Sequence, residues 1–504
     1  MATRITAVTT PAINEKLEAP PCAMVVFGAS GDLSSRKLIP AMHQLFCGGF
    51  LSDRFAIVGV ARRALSSEDF RREMHAAVAE RSTDANVDPG VWDRFDDALE
   101  YVPGEFSDPQ TYRRLAEKLA QLDRERGVAG NRLFYLATPP TEFERIVQCL
   151  SEAGLLQPPH QEPWTRVIIE KPFGRDLESA RRLNEILSKM LDESQIFRID
   201  HYLGKETVQN IMVLRFANAI FEPIWNRRYV QYVEICAAEA IGVGTRGRFY
   251  EETGVLRDIV QNHMLEVLAL TAMEPPITAS ADDIRTEKLK VLNALRDLPD
   301  DQIERDVVLG QYRGYRDEPN VSPSSTTPTY AALRVFVDNW RWQGVPFYLR
   351  SGKMMPRRVT QVSLHFQPVP LRLFGSREEW CSVESNVLTL RIQPDEGISL
   401  RFESKIPGHR MAIGTVAMDM DYVETFGGKP AEAYERLLLD AMRGDATLFS
   451  RRDAVEASWT WITPILEHFE RRPPRDFPNY DPKTSGPERA RELIERDRLQ
   501  WAEL

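Results

Sequence analysis

The chain has 504 residues, more than one ordinary core accommodates, so two or more domains are expected. Hydrophobic residues at 43% and charged residues at 27% match a globular protein and exclude a fibrous or low-complexity chain. The net charge of -10 argues against nucleic acid as a general partner, and an anionic substrate would need a local basic pocket within an acidic molecule.

Residues 1 to 20 carry Arg4 and then Thr, Pro and Glu, without the apolar core of a signal peptide. They read as a disordered lead-in. No run of about 18 apolar residues exists, so no membrane span is expected. Cys22, Cys47, Cys149, Cys236 and Cys381 are odd in number and form no C-x-x-C pair. They read as buried, reduced thiols of a cytoplasmic protein, and neither they nor the eight histidines spell a metal site.

From residue 21 to 200, short apolar runs alternate with helical patterns. Met24–Phe27, Ala56–Val60, Leu133–Leu136 and Val167–Ile169 read as buried strands. Between them, Phe143, Ile146, Val147 and Leu150 fall at i, i+3, i+4 and i+7. This alternation predicts a parallel α/β sheet, a Rossmann-like coenzyme domain over 21–200. Later the pattern turns to period two. Val362, Leu364 and Phe366 alternate with polar residues, as do Leu388, Leu390 and Ile392. A larger α+β domain with a mainly antiparallel sheet, polar on one face, is therefore expected over 201–504. Residues 319–328 and 472–487 read as loops by composition.

The first strand runs into Gly28-Ala29-Ser30-Gly31-Asp32-Leu33 and then a helical pattern. Glycines at a strand-to-helix turn let the backbone approach a pyrophosphate, and the helix N-terminus favours an anion. The spacing G-x-x-G is shorter than the full dinucleotide fingerprint, so a plain tight turn explains it equally well. Where an NAD enzyme usually carries an acid, the second strand ends in Arg62-Arg63. Guanidinium groups suit a 2′-phosphate, which points to NADP; a solvated arginine pair is the alternative.

Four further segments carry chemistry-capable residues. Lys171, in Glu170-Lys171-Pro172-Phe173-Gly174, follows a predicted strand, where open α/β sheets bind ligands. His201 and Lys205 lie at i, i+4, which on a helix gives them one face beside Tyr202. Residues 252–264 read as a helix in which Asp258 and His263 stand about 140° apart and flank a ligand without meeting. Lys353 and Arg358 belong to a basic loop after a strand. Taken singly, each is equally a solvated surface segment.

Together these segments resemble the glucose-6-phosphate dehydrogenase family, from about Met24 to about Glu470. The similarity rests on GASGDLSSRKLIPA from Gly28, NRLFYLATPP from Asn131, EKPFGRDL from Glu170 and RIDHYLGKE from Arg198. WNR from Trp225, GVLRDIVQNHMLE from Gly254 and YLRSGK from Tyr348 complete it in the same order. The resemblance implies oxidation of glucose 6-phosphate to its lactone with hydride transfer to NADP, the first step of the oxidative pentose phosphate pathway. It also implies a homodimer or homotetramer. By the same resemblance His263 matches the general base and Asp200 the carboxylate that orients it. His201, Tyr202 and Lys205 match the phosphate cluster, and Lys171 a lysine touching both substrate and nicotinamide. Glu239 and Asp258 match acceptors for sugar hydroxyls, Lys353 and Arg358 further substrate residues, and the glycine turn with Arg62 the coenzyme site.

Oxidising a hemiacetal hydroxyl needs a base that works near neutral pH, and histidine is suited to it without a metal. A relative without catalysis would have lost the base or the phosphate cluster, and both are present. Which hexose phosphate is used does not follow from these residues alone. Two departures stand out: Phe143 occupies a position where the family often has tyrosine, and the proline-rich segment 157–163 is extended. No second, structural coenzyme site can be placed.

Overall fold

The computed structural model describes residues 17–80, 89–371, 373, 385–409, 411–427 and 431–504. The expected lead-in lies mostly outside these residues, as does Cys381. Ala19 is buried, and its N–H donates to the Phe50 carbonyl at 2.8 Å.

The first sheet is built from β1 (Cys22–Phe27), β2 (Phe55–Ala61), β3 (Leu99–Pro103), β4 (Arg132–Leu136), β5 (Thr165–Ile169) and β6 (Ile196–Ile199). Every residue of β1 and β2 is buried, as parallel strands covered by helices on both faces require. All six run parallel in the order β3-β2-β1-β4-β5-β6, the doubly wound dinucleotide arrangement with its crevice between β1 and β4. Helix Phe143–Glu152 buries Phe143, Ile146, Val147 and Leu150, the stripe its periodicity predicts. Helix Leu177–Ser188 starts at a capping box in which Asp176 and Ser179 exchange side-chain and backbone hydrogen bonds.

The second sheet contains β7 (Val230–Ala238), β8 (Val307–Gly310), β9 (Tyr330–Phe336), β10 (Pro346–Gly352), β11 (Val359–Phe366), β12 (Val387–Gln393), β13 (Gly397–Lys405) and β14 (Ile413–Asp421). Its order is β14-β13-β12-β11-β7-β10-β9-β8, antiparallel except for β7 with β10. The chain then returns to the first sheet. A two-residue strand, β15 (Phe449–Ser450), pairs antiparallel with β6, and helix Arg452–Arg471 packs on helix Leu177–Ser188.

One expectation fails here. The polar face of β11 is not solvated: Gln361, Ser363 and His365 are buried like Val362 and Leu364. Residues beyond helix Glu488–Glu495 cover the middle of this sheet. Arg350 on β10 and Glu234 on β7 form a buried ion pair at 2.9 Å. Arg350 also donates to the Ala502 carbonyl at 2.8 Å, and Glu234 accepts the Ala502 N–H at 2.8 Å. The Trp501 ring lies 4.6 Å from the guanidinium. Among the cysteines Cys22, Cys149 and Cys236 are buried as expected, whereas Cys47 is exposed.

Removing one partner of a buried ion pair leaves the other charged and unpaired. Arg350→Ala should therefore destabilise the protein by about 3–5 kcal/mol. Thermal unfolding checks this, and an unchanged midpoint would contradict it.

Candidate active site

At the end of β1 the chain turns on Gly28, with φ +88°. A Cβ there would stand 2.3 Å from the Ala137 carbonyl oxygen just beyond β4, so only glycine fits. The Gly31 N–H and the Ser34 hydroxyl both donate to the Gly28 carbonyl, at 2.9 and 3.3 Å. Ala29 is buried, Gly31 and Asp32 are exposed, and Ser30 and Leu33 lie between. Helix Ile39–Cys47 follows after one π-helical turn, Ser34–Leu38. Just past β2, Arg63 is clasped by Glu73 at 2.8 and 2.9 Å. Arg62 is exposed and has no ion-pair partner among the described residues. Of the two arginines, only Arg62 is free for an incoming anion. Phe143 is wholly buried, a core residue rather than a lining one.

The strands β5 and β6 end side by side and set down Lys171 and Asp200. Opposite them, residues Leu256–Met264 are π-helical after a break at Gly254, whose φ is +56°. This revises the expected geometry. An α-helix would hold Asp258 and His263 well apart, but π winding bonds i to i+5 and returns residues five apart to one side. Lys171 Nζ consequently reaches both: 2.7 Å from His263 Nε2, 3.2 Å from Asp258 Oδ1 and 3.0 Å from the Asp258 carbonyl.

The other ring nitrogen, His263 Nδ1, lies 2.5 Å from Asp200 Oδ1. That oxygen also accepts the Tyr202 N–H at 2.9 Å. Tyr202 stacks on the His263 ring at 4.2 Å and 19°, and His201 meets it edge-on at 4.6 Å. Burial, reinforced by the Lys171 charge, holds His263 well below the ordinary histidine range. Burial and the charges of His263 and Lys171 hold His201 low as well. Burial raises Asp200 against the pull of His201 and Lys171. Burial would also raise Asp258, but Lys171 and Lys353 outweigh it and bring it down to about 2. A neutral His263 thus donates from Nδ1 to Asp200 and accepts at Nε2 from the Lys171 ammonium. Ligand atoms of Asp200, His201 and His263 lie within 4.8 Å of one another, a spacing that a metal ion would accept. With both His263 nitrogens engaged, one of them by an ammonium, the trio suits a proton better than a cation.

The segment from Asp200 to Lys205 is a pair of tight turns, not the helix expected. The Leu203 N–H donates to Asp200 and the Lys205 N–H to Tyr202, and helix Glu206–Phe216 begins only after Lys205. Gly204 backs onto the Ala433 carbonyl, where a Cβ would come within 2.6 Å. The turns send His201 toward His263 and Lys205 elsewhere. Lys205 Nζ donates to Gln393 Oε1 at 2.6 Å, and Arg358 donates to the same oxygen at 3.0 Å. Gln393 in turn donates to Thr360 at 2.8 Å. Lys353 pairs with Glu239 and lies 5.4 Å from the Tyr250 ring. Gln393 and the half-buried Glu170, whose carboxylate accepts from Tyr135 and Tyr434, escaped the sequence reading. A lone glutamine at a strand end carries no signal of its own.

Residues 25–210 match the family described as "Glucose-6-phosphate dehydrogenase, NAD binding domain", and residues 212–502 match "Glucose-6-phosphate dehydrogenase, C-terminal domain". The glucose-6-phosphate 1-dehydrogenase of Chlamydia pneumoniae is 46% identical over 505 residues, covering 98% of each chain. Glucose-6-phosphate 1-dehydrogenase 2 of Mycobacterium tuberculosis (strain ATCC 25618 / H37Rv) is 43% identical, covering 95% of this chain and 94% of that one. A solved glucose-6-phosphate dehydrogenase in complex with its substrate glucose-6-phosphate superposes with a TM-score of 0.88 at 33% identity, covering 97% of this chain and 99% of that one. The glucose-6-phosphate 1-dehydrogenase of Mycobacterium avium does so with 0.83 at 38%, over the same shares. A doubly wound coenzyme sheet joined to a largely antiparallel one, with a buried histidine–carboxylate pair between them, defines a nicotinamide-dependent oxidoreductase. The chain belongs to the glucose-6-phosphate dehydrogenase family.

Because Asp258 is held low, its ionised form stabilises the fold above the unfolded carboxylate range near pH 4, and this contribution is lost as pH falls toward 2. Asp258→Asn should cost about 2 kcal/mol at pH 7, from a shift of roughly two units, and progressively less below pH 4. Melting curves of both proteins across that range test it; a difference independent of pH would contradict the ion-pair account.

Proposed function

We propose that the chain oxidises the anomeric hydroxyl of D-glucose 6-phosphate to 6-phosphogluconolactone, with the hydride passing to NADP. The observation that carries this reading is the line Asp200–His263–Lys171, with 2.5 Å at Nδ1 and 2.7 Å at Nε2. The names of close relatives and the substrate-bound relative support glucose 6-phosphate as the sugar.

In this reading His263 is the base. Its Nε2 takes the hydroxyl proton once the sugar displaces Lys171 from that nitrogen. Burial keeps the ring neutral, and therefore ready, at neutral pH. Asp200 fixes the tautomer through Nδ1–H and stabilises the imidazolium that forms. A bound nicotinamide coenzyme supplies the hydride acceptor. Tyr202, His201, Lys205 and Arg358 hold the phosphate, with Gln393 joined to the last two. Glu239 and Asp258 accept sugar hydroxyls, and Lys353 and Lys171 donate to them. Anchoring the phosphate, remote from the reacting carbon, spends binding energy on orientation.

The residues fit a dinucleotide. Gly28, packed too close to the Ala137 carbonyl for any Cβ, fixes the tight strand-to-helix turn, and in this reading Gly28 to Leu33 hold the pyrophosphate. Arg62, unpaired beyond β2, reads the 2′-phosphate and favours NADP. Oligomerisation as a homodimer or homotetramer is supported by the uncovered β13–β14 hairpin, where Val416 and Met418 are 40% and 43% exposed. A cytoplasmic setting rests on the family resemblance.

The purified protein should reduce NADP with glucose 6-phosphate and far more slowly with free glucose, followed by NADPH absorbance. His263→Asn should lower kcat by about 10²–10⁴-fold with KM little changed; an unaltered kcat would remove His263 as the base. Arg62→Ala should lower kcat/KM for NADP by about tenfold or more and hardly alter that for NAD. Equal losses with both coenzymes would mean that Arg62 does not read the 2′-phosphate.

A further inference from the structure

Beside Asp200 lies a small, partly enclosed internal space. Lys171, Asp200, Gln261, Glu266, Ser450 and Ser458, with apolar side chains between them, line a cavity of ≈ 20 Å³, room for a single water. Asp200 uses Oδ1 twice, toward His263 and the Tyr202 N–H, while its Oδ2 is buried without a partner among the described residues. A buried carboxylate oxygen is costly unless something donates to it, and a water there would find further polar partners in Gln261, Glu266, Ser450 and Ser458 on a wall that is otherwise largely apolar.

The far wall of this space is charged. Glu266, three residues after His263, is buried; its Oε1 accepts the Ser450 hydroxyl at 2.5 Å and its Oε2 lies 2.6 Å from Lys288 Nζ. Lys288, on helix Ala281–Asn293, is 2% exposed, so this ion pair is wholly interior. The charge on Lys288 acts on the Asp200 carboxyl. Lys171, His201 and Lys288 act on the Asp200 carboxyl by charge, His263 binds its Oδ1, and Glu266 and Lys171 share the cavity wall with it.

We propose that Glu266 and Lys288 are positioning residues that set the proton affinity of His263, acting through a water held between Asp200 Oδ2 and the Glu266 carboxylate. This rests on the reading of His263 as the base. The physics has a sign. Lys288 neutralises Glu266, so Asp200 does not face a second bare carboxylate. Without Lys288, the extra negative charge favours the imidazolium, and His263 stays protonated to higher pH. Without the Glu266 charge, the unopposed ammonium disfavours the imidazolium, and His263 loses its proton at lower pH. Replacing both removes both charges at once and cancels the effect.

The test is the pH dependence of kcat/KM for glucose 6-phosphate with NADP in the parent protein and three variants, with thermal melting of each as a check on folding. Lys288→Met should move the acid limb up, and Glu266→Gln should move it down, each by about half a pH unit or more. The Glu266→Gln/Lys288→Met double variant should return it near the parent position. On the steep part of the limb these shifts read as about threefold changes in kcat/KM, in opposite directions. A purely packing role lowers kcat/KM at all pH values and leaves the limb in place. If His263→Asn abolishes turnover and neither single variant moves the limb, or both move it the same way, the proposal is overturned. If Lys288→Met does not fold, Glu266→Gln and the double variant decide the matter: an unmoved limb in Glu266→Gln overturns it. If His263→Asn keeps its turnover, the base reading itself falls, and this proposal with it.

Discussion

The short contact between Asp200 Oδ1 and His263 Nδ1 sets the tolerance for the whole molecule. Asp200 directly follows a strand of the parallel sheet, whereas His263 rides on a π-helical segment beside the antiparallel one. A 2.5 Å hydrogen bond forms only when these two parts are registered to a few tenths of an ångström. Helix Arg452–Arg471 supplies that registration. Its Trp459 indole donates to the Phe173 carbonyl in the turn after β5, and its Ser458 accepts from Gln261 in the π segment. One rigid rod therefore touches both parts of the pair's setting.

Charge is handled with the same economy. The molecule carries a net charge of -10, yet Lys171, Lys205, Lys353 and Arg358 are gathered in one region. Each cation is already held by a local acceptor: Lys171 by Asp258, Lys353 by Glu239, and Lys205 with Arg358 by the single Gln393 amide. The donors stand in place before a substrate arrives, and binding exchanges these internal acceptors for oxygens of the sugar phosphate. Gln393 is neutral and so holds Lys205 and Arg358 without adding a carboxylate of its own, although Glu396 acts on Lys205 by charge.

What could be read from the sequence was what local pattern encodes. The buried strands, the glycine turn and the stripe of helix Phe143–Glu152 follow from apolar periodicity and from conformations only glycine takes. What could not be read depends on partners distant in sequence. The polar residues of β11 alternate as if solvated, but the chain's far end covers them. His201 and Lys205 have helical spacing, but Gly204 is pressed against Ala433 and the segment turns instead. The π winding of Leu256–Met264 leaves no mark on hydrophobic periodicity, yet it decides that Asp258 and His263 meet one lysine. The family resemblance named the site residues because ordered motifs carry information that periodicity lacks. It did not reveal how they are held.

The small strand β15 bears on how such a protein is made. One edge of the parallel sheet is β6, and its cover, Phe449–Ser450, comes from far downstream. While the chain is being synthesised, the coenzyme part emerges early but cannot close that edge until Phe449 leaves the ribosome. An uncovered strand in this interval is a template for pairing with another nascent chain. The strand left waiting is the one that Asp200 directly follows, so the interval most prone to misassembly falls where the finished molecule tolerates the least displacement.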